Sequence, residues 1–272
     1  MTSNAIIAAK RMSAELGISD PTKISLETVA ASKNILVREA PMDGADGRIL
    51  MKDNSAIITI NSKISHLERK RFILAHELGH FEMHRATRAV FSDTDETLNA
   101  WYNSTFGNEE LEANEFAAEY LMPTALYKKA CNNVCGDKRL IRDYGIDLPT
   151  MIDKLSRLFD VSLTATLIRF AETGIHPVLI VCCKDNIVKW FKPSDDFPHY
   201  RFAFTTRVAP RTETIASEAF RNGISFQGAE RRQWIPKSAW FATKTEDNDD
   251  DFYEYCIHSK RSNYTISAIW EK

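Results

Sequence analysis

The spacing of apolar and polar positions changes along the chain, and several stretches have the spacing of a helix. Between Leu67 and His84, a stretch without proline, apolar residues recur at helical spacing, which predicts one long helix. Ser65, followed three residues later by Glu68, fits a capping box, so Ser65 is the predicted N-cap. Other stretches with the same period predict helices at residues 3–16, 109–121, 148–159 and 162–172.

Short runs of β-branched and apolar residues between turn signals predict strands. Residues 35–38 and 56–60 flank the turn-rich segment 41–47 and predict a small sheet. After Gly174 most of the runs are typical of strands, and one helical segment interrupts them. The elements predicted there are strands at 177–183, 187–191, 201–205 and 265–270 and a helix at 214–221.

The order of these elements predicts an α+β protein with two domains. The first is expected over residues 1–174, including a helix-turn-helix-like pair at about 140–172, and a smaller strand-rich α+β domain is expected over 175–272. Two polar segments predict loops. Residues 86–108 are expected to carry one short helix at most, and the acidic run 246–251 is expected to be solvated.

Composition and charge narrow the functional classes. With 272 residues, 44% of them hydrophobic, the chain can bury a substantial core. A formal charge of -2 gives no general basic field, so nucleic acid is not expected as the main partner. The longest apolar run, residues 178–183, is far shorter than the roughly 18 residues of a membrane-spanning helix. The N-terminus lacks the ordered regions of a signal peptide, so a cytoplasmic location is expected.

The cysteines do not indicate a structural metal site. There are five, scattered along the chain. Cys131 and Cys135 are four positions apart, but no second pair at zinc-finger spacing accompanies them. We expect reduced thiols that pack as small apolar side chains.

The segment His76-Glu77-Leu78-Gly79-His80 lies on the long predicted helix. Two histidines four positions apart share a helix face, about 6 Å apart along the axis, and can bind one metal ion. Glu77 is predicted to be the general base that takes a proton from a water held by the metal. Gly79 costs the helix roughly 1 kcal/mol relative to alanine, so its presence needs a structural reason. The alternative is a pair of solvent-exposed histidines on an ordinary helix.

A third ligand is expected from the next helix. On an unbroken helix His84 lies about 12 Å along the axis from the first histidine, too far for both to bind one ion, so it is predicted to support or pack against the site. Glu110 and Asn114 are four positions apart and share a face. Glu110 is the predicted third ligand, with Asn114 orienting a histidine ring. The alternative is an acidic solvated face, an interpretation that fits Glu112 and Glu115 better.

This donor set predicts a cofactor and a reaction. Two imidazoles and one carboxylate favour Zn²⁺, although Mn²⁺ and Co²⁺ accept the same donors. The predicted function is a zinc-dependent metallo-endopeptidase. The alternative is a metal-binding regulator that sequesters a partner protein without cleaving it; the family resemblance described next implies a repressor as that partner. Glu77 argues against this alternative, because binding alone needs no base beside the first ligand.

The same residues carry a family resemblance. The stretch GADGRILMKDNSAIITINSKISHLERKRFILAHELGHFEMH and the later EELEANEFAAEYLMP resemble the ImmA/IrrE metallopeptidase family. The resemblance covers roughly residues 20–172 and implies a zincin-like fold with a small sheet, an active-site helix and a helical pair. It implies zinc ligands at His76, His80 and Glu110 and a general base at Glu77. Characterised members cleave helix-turn-helix repressors of mobile-element or stress-response genes, which implies a repressor as substrate.

Two regions depart from the simplest members of that family. The segment between the metal-site helices contains aromatic residues that are expected to pack on the body or, alternatively, to cover the cleft: Phe91, Trp101, Tyr102 and Phe106. The tail from about 175 to 272 can be a substrate-docking, regulatory or sensor module, or structural reinforcement. The second helix of the helical pair offers only Arg169 for base contacts, so DNA contact is not expected. The sequence does not indicate an oligomeric state.

Overall fold

The computed structural model describes residues 3–86, 89–94, 107–135, 141–142, 145–223, 232–243, 251–260 and 263–271. The chain is an α+β protein, as the hydrophobic pattern predicts. It divides into two compact units: Met1–Tyr127 with Arg157–Ser162, and Lys128–Ser156 with Leu163–Lys272. The domain boundary near residue 174 stays a prediction.

The first unit combines helices with a small sheet. Its helices are α1 (Asn4–Glu15), α2 (Leu26–Ser32), α3 (Leu67–His84) and α4 (Gly107–Leu121), with a short 3-10 helix at Pro21–Lys23. Its strands are β1 (Ile35–Ala40), β2 (Gly47–Lys52), β3 (Ser55–Asn61) and β4 (Val90–Asp93). The predicted helices at 3–16 and 109–121 and the long helix that ends near His84 are confirmed.

The sheet of the first unit has the strand order β1-β3-β2-β4. β1 runs parallel to β3, while β2 pairs antiparallel with both β3 and β4. The sequence pattern does not predict β2 or β4. β2 begins at a glycine of the turn-rich segment, and β4 has only four residues, within a segment that is predicted to be a loop. Along β2 every second residue is buried, and α3 packs against β2 and β3.

The start of α3 differs from the prediction. Its N-cap is His66, which makes no side-chain cap hydrogen bond, so the predicted capping box at Ser65 is wrong. A tertiary contact fixes the first turns of the helix instead. Arg71 Nη1 donates to the carbonyl oxygen of Phe159 at 2.6 Å. Long-range contacts of this kind override a local capping signal, which contributes only about 1 kcal/mol.

The second unit contains most of the remaining elements. The helices that follow α4 are α5 (Thr124–Cys135), α6 (Leu148–Phe159), α7 (Leu163–Thr173) and α8 (Ile215–Asn222), with a 3-10 helix at Lys237–Ala239. The strands are β5 (Ile141–Arg142), β6 (Gly145–Ile146), β7 (Leu179–Lys184), β8 (Ile187–Pro193), β9 (Arg232–Pro236), β10 (Asp251–Ser259) and β11 (Tyr264–Glu271). The predicted helices at 148–159, 162–172 and 214–221 are confirmed.

An antiparallel sheet in the order β8-β7-β11-β10-β9 forms the centre of the second unit. The predicted strand at 201–205 is wrong. Phe202 forms a single bridge with Phe241, and the rings of Phe202 and Phe204 pack on Phe191, so aromatic packing replaces strand pairing. The sequence pattern does not predict β9 or β10. Residues 246–250 of the acidic run lie outside the described residues.

The cysteines agree with the expectation of small buried side chains. Cys131, Cys182, Cys183 and Cys256 are buried, whereas the side chain of Cys135 lies outside the described residues. Burial raises the pKa of Cys182 to about 12, so its thiol stays protonated near neutral pH. Within the part of the chain that the structure describes, no helix is both long and apolar enough to cross a membrane.

A buried carboxylate ties α8 to the sheet of the second unit. Glu254 of β10 is fully buried and accepts hydrogen bonds from the backbone N–H groups of Ile215 and Ala216, both at 2.9 Å. Trp240 Nε1 and Ser267 Oγ donate to the same carboxylate at 3.0 and 2.6 Å. Burial raises the pKa of Glu254, and these donors oppose that rise because they stabilise the charged form.

Replacing Glu254 with alanine removes the acceptor for all of these donors and leaves a cavity. We expect Glu254→Ala to lower the free energy of unfolding of the second unit by about 3–5 kcal/mol. Urea unfolding followed by tryptophan fluorescence measures this loss. The second unit contains Trp190, Trp234, Trp240 and Trp270. Glu213→Ala, which removes an exposed carboxylate just before α8, should change the free energy of unfolding by less than about 0.5 kcal/mol. Equal losses in the two variants would contradict the structural role of Glu254.

Candidate metal centre

Two imidazoles lie side by side on the buried face of α3. His76 and His80 are fully buried, and their Nε2 atoms are 3.0 Å apart. Their four-residue spacing predicts this shared face. Burial lowers the pKa of His80, which favours the neutral ring that binds a metal. Both nitrogens face the same point, so a single cation there would contact both rings.

Glu110 reaches the same point from α4. Its Oε2 atom lies 3.3 Å from His76 Nε2 and 3.6 Å from His80 Nε2. The residue belongs to the first turn of α4, and its side chain is largely buried. The structure therefore brings the three predicted ligands together, and their role as ligands stays a prediction.

Close packing of α3 against α4 allows this convergence. A Cβ atom on Gly79 would lie 3.1 Å from Phe116 Cδ1 and 3.2 Å from Ala113 Cα. One of these neighbours is backbone and cannot move aside as a flexible side chain can. Glycine therefore lets the two helices approach each other, which is the structural reason for its unfavourable place inside a helix.

Asn114 orients the ring of His76. The two side chains are buried, and Asn114 Oδ1 accepts a hydrogen bond from His76 Nδ1 at 2.9 Å. With the proton on Nδ1, the lone pair of Nε2 faces the neighbouring histidine and carboxylate. This arrangement matches the role expected for Asn114 from its position one turn after Glu110.

A second chain of hydrogen bonds orients the ring of His80. His84 Nε2 lies 2.9 Å from Glu112 Oε2, and His84 Nδ1 lies 3.0 Å from His80 Nδ1. Because a carboxylate accepts, the His84 proton lies on Nε2, and its Nδ1 can accept the proton of His80 Nδ1. The Nε2 lone pair of His80 then faces the cluster. His84 supports the site as expected. Glu112, for which the sequence favours a solvated acidic face, keeps 39% of its side chain exposed and also contacts His84.

Glu77 follows His76 on α3 and is fully buried. Both of its carboxylate oxygens lack a hydrogen-bond partner among the described residues. A Cβ atom on Gly47 of β2 would lie 2.5 Å from Glu77 Oε1, so the glycine makes room for the carboxylate. Burial raises the pKa of Glu77, and the negative charge of Asp93 raises it further, which suits a group that must take up a proton.

Asp93 joins the cluster, and sequence reasoning missed it. It is the last residue of β4, opposite Gly47 of β2, and it is fully buried. Asp93 Oδ2 lies 3.4 Å from His76 Nε2. The sequence gives no alternating signal here, since Val90 and Phe91 are apolar and Ser92 and Asp93 are polar, whereas the structure buries the second and fourth of these residues. Four residues are too few to distinguish a strand from a loop.

The side chains present fit a divalent cation. His76, His80, Asp93 and Glu110 each offer one ligand atom, and these atoms all lie within 4.8 Å of one another. Both oxygens of Asp93 and the Oε2 atom of Glu110 are buried without a hydrogen-bond partner in the described part of the chain. Buried carboxylates require a counter-charge or hydrogen bonds. Two imidazoles with carboxylates form a donor set for Zn²⁺.

The electrostatics of the cluster also favour a cation. Burial lowers the pKa of His76, but Asp93 and Glu110 outweigh this effect and raise it to about 9. The two carboxylates therefore stabilise positive charge at the point where the imidazoles meet. A divalent ion supplies that charge while leaving both rings neutral.

A comparison with protein families decides where this chain belongs. The model of Peptidase_M78, the IrrE N-terminal-like domain, matches residues 30–171. The chain is a member of this family. The matched region includes α3, β4 and α4, so the whole cluster lies within the IrrE-like, metallopeptidase-like domain.

One solved structure resembles the IrrE-like chain over nearly its full length. It is described as a Mycobacterium tuberculosis transcriptional regulator, and the alignment covers 98% of this chain and 76% of that one. The TM-score is 0.61 and the sequence identity is 16%, a likeness that shows a shared fold alone. No curated protein matches the chain.

Gly79 offers a test of the helix packing. We expect Gly79→Ala to lower the free energy of unfolding by about 1–3 kcal/mol through overpacking, although alanine favours a helix by about 1 kcal/mol. Zinc affinity should fall as well, because separating the helices moves Glu110 away from the histidines. Thermal denaturation and zinc titration measure the two effects. Glu115→Ala, at an exposed position of α4, should change neither, and a stabilised Gly79→Ala variant would contradict this role.

Glu110 and Glu112 offer a test of the ligand assignment. Glu110→Ala removes an oxygen that lies beside both histidines, so zinc affinity should fall by more than about 100-fold. Glu112→Ala acts only through His84 and should weaken zinc binding by less than about 10-fold. Metal analysis after dialysis, followed by competition with a chelating dye, measures both. The reverse order of effects would place the metal elsewhere.

Proposed function

We propose that this chain is a zinc-dependent endopeptidase in which His76, His80 and Glu110 bind the metal and Glu77 is the general base. The observation that supports it most is the convergence of two imidazole Nε2 atoms and one carboxylate oxygen. Beside them lies the carboxylate of Glu77, whose oxygens lack a hydrogen-bond partner among the described residues. A metal ligand set with an adjacent base has the composition that hydrolysis requires. Membership of the peptidase family agrees with it.

In the proposed hydrolysis Glu77 transfers protons, while Asn114 and His84 orient the histidines. Bound at this site, zinc would lower the pKa of a water molecule towards about 7 and polarise the scissile carbonyl. Glu77 takes the proton of the attacking water at a carboxylate oxygen and gives it to the leaving amide nitrogen. Its raised pKa suits both transfers. Asn114 and His84 hold the two imidazoles so that their lone pairs stay on the metal side.

The proposed substrate is a helix-turn-helix transcriptional repressor. The resemblance of the two motif segments to repressor-cleaving metallopeptidases supports this choice. DNA is not proposed as a partner. Arg169, the basic residue of α7 considered for base contacts, is 5% exposed and lies 3.4 Å from Glu172 Oε2, so it cannot extend towards a base edge. The strand-rich second unit is proposed to dock the substrate or to regulate cleavage.

A non-cleaving regulator is the second candidate. Asp93 favours it, since a fourth buried donor beside the three predicted ligands gives the closed donor set of a structural metal site. Such a protein would bind its partner without hydrolysis. Glu77 distinguishes the two functions, because a structural site has no use for an adjacent base.

Glu77→Gln keeps the size of the side chain but removes its ability to take a proton. We expect the variant to bind as much zinc as the parent protein and to cleave a candidate helix-turn-helix repressor about 10²–10⁴-fold more slowly. Gel-based cleavage assays and metal analysis measure the two properties. Glu68→Gln, in the first turn of the same helix, should leave both unchanged. If the parent protein does not cleave and Glu77→Gln keeps the cellular effect, the regulator is the correct function.

A further inference from the structure

The short strand β4 positions Asp93 in the cluster. Phe91 of β4 stacks on the ring of His80, with ring centroids 4.0 Å apart and planes 18° apart. Asp93 comes two residues later, so its side chain lies on the same face of the strand. The ring contact and the pairing of β4 with β2 therefore hold the carboxylate against the histidines.

The buried carboxylate of Asp93 faces one imidazole and two acidic groups. The residue is 0% exposed, neither carboxylate oxygen has a hydrogen-bond partner among the described residues, and Oδ2 lies 3.4 Å from His76 Nε2. Its acidic neighbours are Glu77 and Glu110. A charged carboxylate in this position needs positive charge beside it, which a protonated His76 or a bound cation supplies. Two imidazole nitrogens and two carboxylate oxygens around one point favour the bound cation.

The number of donors exceeds what a catalytic zinc site uses. Such a site has three protein ligands and keeps its fourth position for water, whereas four protein ligands close it. His76, His80 and Glu110 already supply three. Asp93 lies within the same 4.8 Å limit as the others, which makes it the group that competes with water for the fourth position.

We propose that Asp93 is a fourth ligand of the metal and that the described conformation is a latent form of the peptidase. This inference rests on the proposed function. With a metal bound at this site, the Asp93 carboxylate would hold the position that the reacting water needs, so Asp93 would inhibit the centre that its neighbours form.

The placement of β4 fits an inhibitory strand. A substrate peptide in extended form commonly binds by adding a strand to the edge of a sheet. β4 is itself an edge strand, and it covers β2 beside the histidines. β4 therefore occupies the edge of β2 on which an extended peptide could pair. Its last residue, Asp93, places a carboxylate at the position that the reacting water would need.

Metal binding tests the inference without relying on activity. Asp93→Ala removes the carboxylate, Asp93→Asn keeps its shape with a poor ligand, and Ser92→Ala changes an exposed neighbour on the same strand. We expect one zinc ion per chain in all variants, with affinity at least about 10-fold weaker in both Asp93 variants. Competition with a chelating dye measures this affinity, and circular dichroism checks that the variants are folded.

Cobalt-loaded protein reports the fourth position itself. In both Asp93 variants, added acetate should shift the visible absorption of Co²⁺, because the ion can bind at the opened position. The parent protein and Ser92→Ala should not respond to the same acetate concentration. Unchanged affinity, or an equal response to acetate in parent and Asp93 variants, would overturn the inference.

The same samples separate this inference from the proposed function. Asp93→Ala should cleave a candidate helix-turn-helix repressor at least about 10-fold faster than the parent, because the opened position admits the reacting water. Altered affinity and absorption without any cleavage would support Asp93 as a ligand and overturn both the latent peptidase and the proposed hydrolysis. A parent protein that binds neither zinc nor cobalt would overturn both proposals.

Discussion

The contact of α3 with α4 at Gly79 is the constraint on which the rest of the site depends. A Cβ atom at this position would meet the backbone at Ala113 and the ring of Phe116. The approach brings Glu110 and Asn114 of one helix to the histidines of the other. The proposed binding of a cation would therefore depend on a steric contact that involves none of the donor atoms.

The two units stabilise buried carboxylates in opposite ways. Glu254 in the second unit accepts hydrogen bonds from two backbone N–H groups, an indole and a hydroxyl. Glu77 and Asp93 in the first unit lie just as deep, yet their oxygens have no such donors among the described residues. The first arrangement is complete by itself and has a structural role. The second gains stability from positive charge, which a protonated His76 or a bound cation supplies, and this difference distinguishes the candidate metal centre from a structural anchor.

Local spacing made part of the site predictable. His76 and His80, or Glu110 and Asn114, share a face because a helix repeats about every 3.6 residues, and that rule needs no knowledge of the rest of the fold. Asp93 was beyond this reasoning, since its place depends on the pairing of β4 with β2. Tertiary contacts also determine three other features: the Glu112 contact with His84, the strands β9 and β10, and the start of α3. Local spacing therefore does not predict them.

Gly47 links two groups that are far apart in the sequence. It pairs across the sheet with Asp93, and its missing side chain leaves the space that Glu77 fills. A larger residue at this position would meet α3 at two places, because its Cβ atom would lie 2.5 Å from Ile73 Cγ2 and 2.5 Å from Glu77 Oε1. The strand and the helix therefore come this close only while position 47 lacks a side chain, and the space saved is given to an acid.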